Sequence, residues 1–147
     1  DHSILLWDFR ISRTDRPASI IAQVSSQPTA LDWASQHELT FGTEAGNLVR
    51  LDLRSPGKFL QKHELFNNQD EYDMSVVQIR PMKQHLICVL TAHQHWLFER
   101  RNFDQIIDNH SSYSERVHLK SCLSINDSDL LIIGNNFNHF RYPKILL

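Results

Sequence analysis

Histidine spacing is the first feature of this sequence that could support metal chemistry. The 147 residues include nine histidines, and His93-Gln94-His95 has the spacing of a ligand pair. Side chains two residues apart on a β-strand share a face, so both imidazoles could reach one ion. His85 and His63 are near in sequence, but no glutamate follows at zinc-protease spacing and no nearby cysteine or aspartate completes a ligand set. We expect a polar turn between strands here, with no metal and no cofactor.

Two other groups of polar residues invite a catalytic interpretation. Asp108, His110 and Ser111 are close in sequence, but a catalytic triad is defined by geometry, and the G-x-S-x-G motif is missing. The carboxylates of 67–73 lie in a segment rich in Asn, Gln and Asp, which is typical of a surface loop, with a partner contact as the alternative. The sequence therefore predicts no catalytic residue, and we expect that the protein is not an enzyme.

Tryptophan and arginine side chains are the candidates for contact with a partner protein, because these types dominate interface energetics. Trp33 ends a predicted strand beside Asp32, where it either packs between sheets or faces the mouth of a channel. Trp96 precedes Arg100 and Arg101, and the three form a candidate contact group. For Trp96, packing in the core is the alternative.

Composition and charge exclude several classes of protein. Hydrophobic residues make up 41% and charged residues 22%, as in a folded protein, and the net charge is -2. Phosphate attraction needs clustered cations, so we expect no direct nucleic-acid partner. The longest apolar runs, such as 86–90, are far shorter than a membrane span, so we expect no membrane partner. Cys88 and Cys122 are too few for a disulfide framework and indicate buried thiols.

Repeated strand patterns indicate the fold. The strings I-L-L-W-D-F-R (4–10) and L-V-R-L-D-L-R (48–54) place equivalent aspartates about 44 residues apart, the period of a WD-repeat blade. Gly46 and Asn47 suit the turn that precedes the second string. Strands are predicted at 29–34, 38–42, 48–53 and 58–65, then at 74–79, 86–91, 96–100 and 103–108, and finally at 117–123, 130–134 and 139–147.

The predicted fold is an all-β WD-repeat β-propeller, present as an open C-terminal portion of about three and a half blades. Residues 1–27 would end one blade, 28–65 and 74–111 would form the next two, and 112–147 an incomplete last blade. Such an arc exposes strand edges, so we expect the isolated chain to associate or to be poorly soluble.

Four motifs together resemble the methylosome protein fifty family, the WD-repeat partners of an arginine methyltransferase. Members carry a similar I-L-L-W-D-x-R, Lys/Arg-Pro-Ala-Ser, P-T-S-L-A-W and F-G-x-E-x-G in the same order. The matching segments here are I-L-L-W-D-F-R (4–10), R-P-A-S (16–19), P-T-A-L-D-W (28–33) and E-L-T-F-G-T-E-A-G-N-L-V-R-L-D-L (38–53). The motif match covers residues 4–54, and beyond residue 65 only blade spacing and scattered apolar positions support it.

The resemblance implies a non-catalytic scaffold. It would bind a type II, symmetric-dimethylating protein arginine methyltransferase and present arginine-rich substrates such as Sm-type spliceosomal proteins or histones. For divergent family members the resemblance also implies a Tudor-domain scaffold as a partner, in germ plasm and perinuclear nuage. The implied location is the cytoplasm, with the nucleus as the alternative.

Arginines at two blade ends raise a rival interpretation. The strings W-D-F-R and L-D-L-R resemble the paired motif of WD-repeat substrate receptors of a cullin-RING ubiquitin ligase, with Arg10 and Arg54 as the critical side chains. Pairing of each arginine with a nearby carboxylate is the structural alternative. The candidate protein-binding residues are Arg10, Trp33, Arg54, Trp96, Arg100 and Arg101.

Overall fold

Every regular element in the described part of the chain is a β-strand. The computed structural model describes residues 2–7, 10, 19–66, 74–82, 85–111, 119–124, 130–134 and 139–142. The strands are β1 (Ser3–Leu6), β2 (Ser19–Gln23), β3 (Pro28–Trp33), β4 (Glu38–Thr43), β5 (Asn47–Asp52), β6 (Phe59–Glu64), β7 (Val76–Pro81), β8 (Leu86–Thr91), β9 (Gln94–Glu99), β10 (Asn102–Ser111), β11 (Leu119–Ser124), β12 (Leu130–Gly134) and β13 (His139–Tyr142). The all-β prediction is confirmed. Within these residues, no helix has the length and apolar character needed to cross a membrane.

The strands form four antiparallel sheets in chain order. β1 pairs with β2, β3 to β6 and β7 to β10 each form a four-stranded meander, and β11 to β13 form a three-stranded one. The sheets pack side by side: β3 lies against β7, β7 against β11, and the outer strands β6 and β10 are neighbours. The inner strands of neighbouring sheets therefore contact each other, and so do the outer strands. This is how successive blades of a propeller are arranged around its axis.

Strand order follows the predicted pattern, several strand ends shift by two or more residues, and two further differences concern β2 and the histidine pair. β8 and β12 have the predicted bounds, whereas β2 was not predicted as a strand. The second difference concerns the histidine pair, for which a turn was expected. The Gln94 N–H donates to Thr91 Oγ1 over 3.1 Å, which closes a short turn, so β9 already begins at Gln94 and His95 is a buried strand residue. The segment 67–73 and Asp8 lie outside the described residues, and so do the side chains of Asp108, His110 and Ser111.

The first seam is the contact between the β1–β2 hairpin and one face of the β3–β6 sheet. Its core is wholly apolar and consists of Ile4, Ile21, Ala22, Leu39, Phe41, Val49 and Leu51. Leu39, Phe41, Val49 and Leu51 lie on β4 and β5, and alternation along each strand puts them on one face. Burial of this face against the hairpin therefore sets the register of the middle strands.

The second seam is the contact between the opposite face of the β3–β6 sheet and the β7–β10 sheet. One cross-strand row on this face is Asp32, Thr40, Arg50 and Gln61, and the adjacent row is Ala30, Gly42, Leu48 and His63. Their apolar neighbours form a core of Leu48, Val76, Ile79, Ile87, Val89, Trp96, Phe98 and Phe103. Gly42 lies directly against Val76, where a Cβ would overlap the valine side chain.

Candidate protein-binding site

The connections between strands meet at one end of the adjoining sheets. In antiparallel sheets, β3–β4 and β5–β6 turn at the same edge, and the Leu53 N–H donates to the carbonyl of His37 over 2.8 Å. In the next sheet, the Arg100 N–H donates to the carbonyl of His85 over 2.6 Å and joins the β7–β8 and β9–β10 turns. We call this end, formed by 34–37, 53–58, 82, 85 and 100–101, the connection face.

Arg10 borders the connection face. Gln27 follows β2, and its carbonyl accepts a 2.9 Å hydrogen bond from the Glu44 N–H in the β4–β5 turn. That turn lies at the edge of the sheet opposite the connection face. The end of β2 therefore lies at that opposite edge. β1 runs antiparallel to β2, so the end of β1 at Leu6 and the exposed Arg10 that follows it lie toward the connection face.

A cleft opens on the connection face at the second seam. It is too narrow to admit a water molecule, and it is lined by Asp32, Trp33, Ala34, Thr40, Ile79, Pro81, Ile87 and Arg100. Trp33 and Arg100, both predicted as contact residues, thus contribute to one lining although they belong to different sheets, and Trp33 pairs with Leu39 on the first-seam face at the edge of the cleft. Pockets for metabolites and drug-sized ligands usually enclose roughly 300 to 1,000 Å³, so this narrow cleft is a groove between packed sheets and not a ligand pocket.

Thr40 and Arg50 are the residues of the site that sequence reasoning missed. Thr40 is 1% exposed, and its hydroxyl oxygen has no hydrogen-bond partner. Arg50 crosses the second seam: Nη1 donates to the carbonyl of Arg100 over 3.1 Å, and the guanidinium lies 5.8 Å from the ring centre of Phe103. Its Nε is buried without a partner. Both residues stand in the quoted segment 38–53, but the strand pattern alone does not show that they face the second sheet.

Trp33 is a large exposed aromatic residue at the end of β3. It is 49% exposed, and its backbone N–H donates to Asp32 Oδ1 over 2.7 Å, which fixes the last residue of the strand. An exposed tryptophan at a strand end presents apolar area at low conformational cost, which suits contact with a protein.

Arg54 is held by the carboxylate of Asp52. Arg54 Nε donates to Oδ1 over 2.9 Å and Nη2 donates to Oδ2 over 2.7 Å, while the Arg54 side chain remains 65% exposed. These side-chain bonds, followed by the bond from the Arg54 N–H, lower the pKa of Asp52 from 3.8 to about 2. Asp52 in turn raises the pKa of Arg54. The pairing alternative that the sequence left open for the Asp-x-Arg string is thus present at Arg54.

The remaining candidates divide between surface and core. Arg101 is exposed in the β9–β10 turn, where its N–H donates to Glu99 Oε2 over 2.7 Å. Trp96 is 2% exposed and packs edge-on against Phe66 at 5.3 Å, so the structure places it in the core, the alternative stated above. Trp96 is therefore not a surface contact. Arg54, Arg100 and Arg101 lie in the connection face, and Trp33 and Arg10 border it.

The part of the chain that the structure describes contains no cluster of side chains suited to binding a metal ion. No three side chains of His, Cys, Asp or Glu converge there in a way that could hold an ion. His93 lies in the turn before β9, and His95 is a buried residue of that strand. Cys88 is a buried cysteine on β8 that forms no disulfide in the described residues.

Comparison with known proteins supports the fold. No model of a protein family matches the sequence, and no curated protein matches it. The crystal structure of the β-propeller BamB from Moraxella catarrhalis is similar to it, with a TM-score of 0.67 and 15% sequence identity. The match covers 88% of this chain and 38% of that chain. The chain therefore spans well under half of the BamB length and folds as part of a β-propeller, as predicted.

Proposed function

We propose that this protein is a non-catalytic β-propeller scaffold that binds partner proteins at the connection face. The observation that carries the proposal is the gathering of Arg10, Trp33, Arg54, Arg100 and Arg101 at one end of adjoining sheets. Exposed tryptophan and arginine side chains are the types most enriched at interface hot spots. A rigid sheet framework with such side chains in its connections is suited to docking.

The partner proposed here is a type II protein arginine methyltransferase. This finer proposal is supported by the motifs of residues 4–54, which resemble the methylosome protein fifty family, and within that family most of all its divergent member Valois. Sm-type proteins or histones would be the presented substrates. A Tudor-domain scaffold in cytoplasmic germ plasm or nuage is the further partner that the resemblance implies.

Co-purification tests this proposal directly. The tagged full-length protein is expressed in its own cells, and its partners are measured by quantitative mass spectrometry. We expect the symmetric arginine methyltransferase to be enriched, and Trp33→Ala together with Arg101→Ala to reduce its recovery several-fold. As a control, Lys62→Ala changes an exposed residue of β6 away from the connection face and should leave recovery unchanged. A stable protein that recovers no methyltransferase would contradict the finer proposal.

A ubiquitin-ligase substrate receptor is the second candidate. The two Asp-x-Arg strings favour it, and Arg54 is exposed on the connection face. The double variant Arg10→Ala and Arg54→Ala should abolish ligase-adaptor recovery if this function is correct, and should leave methyltransferase recovery largely intact if the first is correct. Recovery of the adaptor instead of the methyltransferase from the unmodified protein would reverse the ranking.

A further inference from the structure

A serine-proline pair lies in an exposed turn of the connection face. We call the segment 54–58 between β5 and β6, each residue of which is exposed, the β5–β6 turn. Ser55 is the one serine or threonine among the 147 residues that proline follows directly, and Lys58 stands three positions after it. Proline has no backbone N–H, so it suits a pocket that offers no hydrogen-bond acceptor to the residue after the serine. Serine, proline, any residue and lysine, in that order, is the sequence that proline-directed protein kinases prefer.

The β5–β6 turn can open without disturbing either seam. Two backbone bonds close it: the Ser55 N–H donates to the carbonyl of Asp52, and the Lys58 N–H donates to the carbonyl of Ser55, each at 3.0 Å. A third bond, from the Gly57 N–H to the carbonyl of Ile21 at 2.8 Å, ties the turn to β2. The apolar cores of both seams consist of residues outside the turn. Kinases bind their substrates as extended segments, and a surface connection with few bonds opens at a far lower cost than a core strand.

We infer that Ser55 is a phosphorylation site for a proline-directed serine/threonine kinase. The Ser55 hydroxyl oxygen bonds to the γ-phosphorus of ATP, the bond between that phosphorus and the β–γ bridging oxygen breaks, and ADP leaves with that oxygen. The hydroxyl proton passes to a base of the kinase, so the products are phosphoserine and ADP, and no atom is oxidised or reduced. The assignment depends on the turn alone and holds whichever partner binds the connection face.

A phosphate on Ser55 would act first on Arg54. The carboxylate of Asp52 holds Arg54 through side-chain bonds as short as 2.7 Å, yet 65% of the Arg54 side chain is exposed. A phosphate adds acceptor oxygens and about two negative charges on the next residue. Because the guanidinium fork binds phosphate bidentately, the phosphate competes with Asp52 for Arg54. Arg54 and Lys58 give the turn two positive charges, and phosphorylation would bring its net charge close to zero.

Kinase treatment of the full-length protein tests the site. The protein is incubated with ATP and a purified proline-directed kinase, and phosphate at Ser55 is measured by mass spectrometry of proteolytic peptides. A synthetic peptide of residues 50–62 is the positive control for the kinase. We expect most protein chains to carry phosphate at Ser55. A folded protein that stays unmodified at Ser55 while the peptide is phosphorylated would overturn the inference, and so would a peptide that the kinase does not accept.

Three variants, each shown to be folded by circular dichroism, test whether the motif directs the kinase. Pro56→Ala should lower the rate of phosphorylation at Ser55 about tenfold or more, and Lys58→Ala should lower it several-fold, because each removes one recognition feature. Ser35→Ala is the matched control: Ser35 is exposed on the same face but precedes Gln36, so its removal should not change the rate. Phosphorylation of Pro56→Ala at the rate of the unmodified protein would refute selection by the motif. Phosphate on Ser35 in place of Ser55 would place the site elsewhere.

The local effect of the phosphate has a measurement of its own. In NMR spectra, the Arg54 Nε–H signal should shift on phosphorylation, and treatment with a phosphatase should restore its original position. A signal that does not respond to phosphorylation would refute the competition with Asp52. Phosphorylation at Ser55 and recovery of the methyltransferase are measured separately, so the failure of either proposal is distinguishable from the failure of the other.

Discussion

The two seams of the β3–β6 sheet are built on different physical principles. The first seam is an apolar contact, in which Phe41 and its neighbours pack on the β1–β2 hairpin. The second seam adds polar bonds that run from sheet to sheet: Thr29 Oγ1 donates to the carbonyl of Val76 over 2.7 Å, and the Phe103 N–H donates to Gln61 Oε1 over 3.2 Å. Apolar burial brings sheets together without demanding one alignment, whereas directional bonds select one. The cleft that Thr40 and Arg100 line lies at the seam with the fixed alignment.

The two seams also differ in how much of each sheet face is covered by the neighbouring sheet. The hairpin has two strands and covers β4 and β5, so on the first-seam face Leu31 and Trp33 of β3 each stay 49% exposed. By contrast, β8 lies between two sheets and is buried along its whole length. Trp33 is available as a contact residue because the first seam leaves the end of β3 uncovered.

Truncation of Phe41 should produce the largest loss of stability. Phe41 is fully buried in the first seam, and Phe41→Ala should lower the free energy of unfolding by about 3 to 5 kcal/mol, since it removes apolar contact and leaves a cavity. Phe59 touches Phe41 but is 43% exposed, so Phe59→Ala is the matched control with a much smaller loss. Chemical denaturation measures both. Equal losses would show that the first seam does not depend on the buried ring.

A methyl group at Gly42 tests how rigidly the second seam is aligned. Gly42→Ala places a Cβ onto the side chain of Val76, and we expect a loss of about 1 to 3 kcal/mol because the two sheets cannot separate without losing their cross-seam bonds. Val76→Ala should restore part of that loss when the two changes are combined. A double-mutant cycle in denaturant measures this coupling. Strictly additive effects would mean that Val76 is not the obstacle.

Removal of one directional bond should have a smaller effect. Gln61→Ala deletes the acceptor of the partly buried Phe103 N–H, and the expected loss is about 1 kcal/mol. Lys62 is its neighbour on the opposite face, where it forms an exposed ion pair with Glu64, so Lys62→Ala should change stability very little. Hydrogen exchange at the Phe103 amide provides a local readout. Unchanged protection there in Gln61→Ala would show that the bond is not made in solution.

Much of this architecture was predictable because strand patterns depend on residues that are close in sequence. The cleft was not predictable, because it depends on contacts between two sheets. The bounds of β8 follow from an apolar run with polar flanks, and the turn at Gly46 follows from a residue that adopts a φ of 70° without strain. β2 was missed, and its partner β1 lies across a long connection. Thr40 and Arg50 stand in the quoted segment 38–53, but the burial of their polar atoms depends on the register of β4 with β5 and on a second sheet, which the segment does not reveal.

The smallest expected effect belongs to neither seam but to the Asp52–Arg54 pair of the connection face. The pKa of Asp52 is about 2 in the folded protein, below its ordinary value of 3.8. A carboxyl group with a lowered pKa stabilises the fold above its unfolded value, so this contribution is complete above about pH 4 and is lost as the pH falls toward 2. Asp52→Asn removes an ionised acceptor and should flatten the dependence of the unfolding midpoint on pH in that window alone. Glu64→Gln, which neutralises an exposed carboxylate of β6, is the control and should retain most of the slope. If Asp52→Asn keeps the full slope between pH 4 and 2, the clamp on Arg54 is not formed in solution, and the arginine is a freely moving surface side chain.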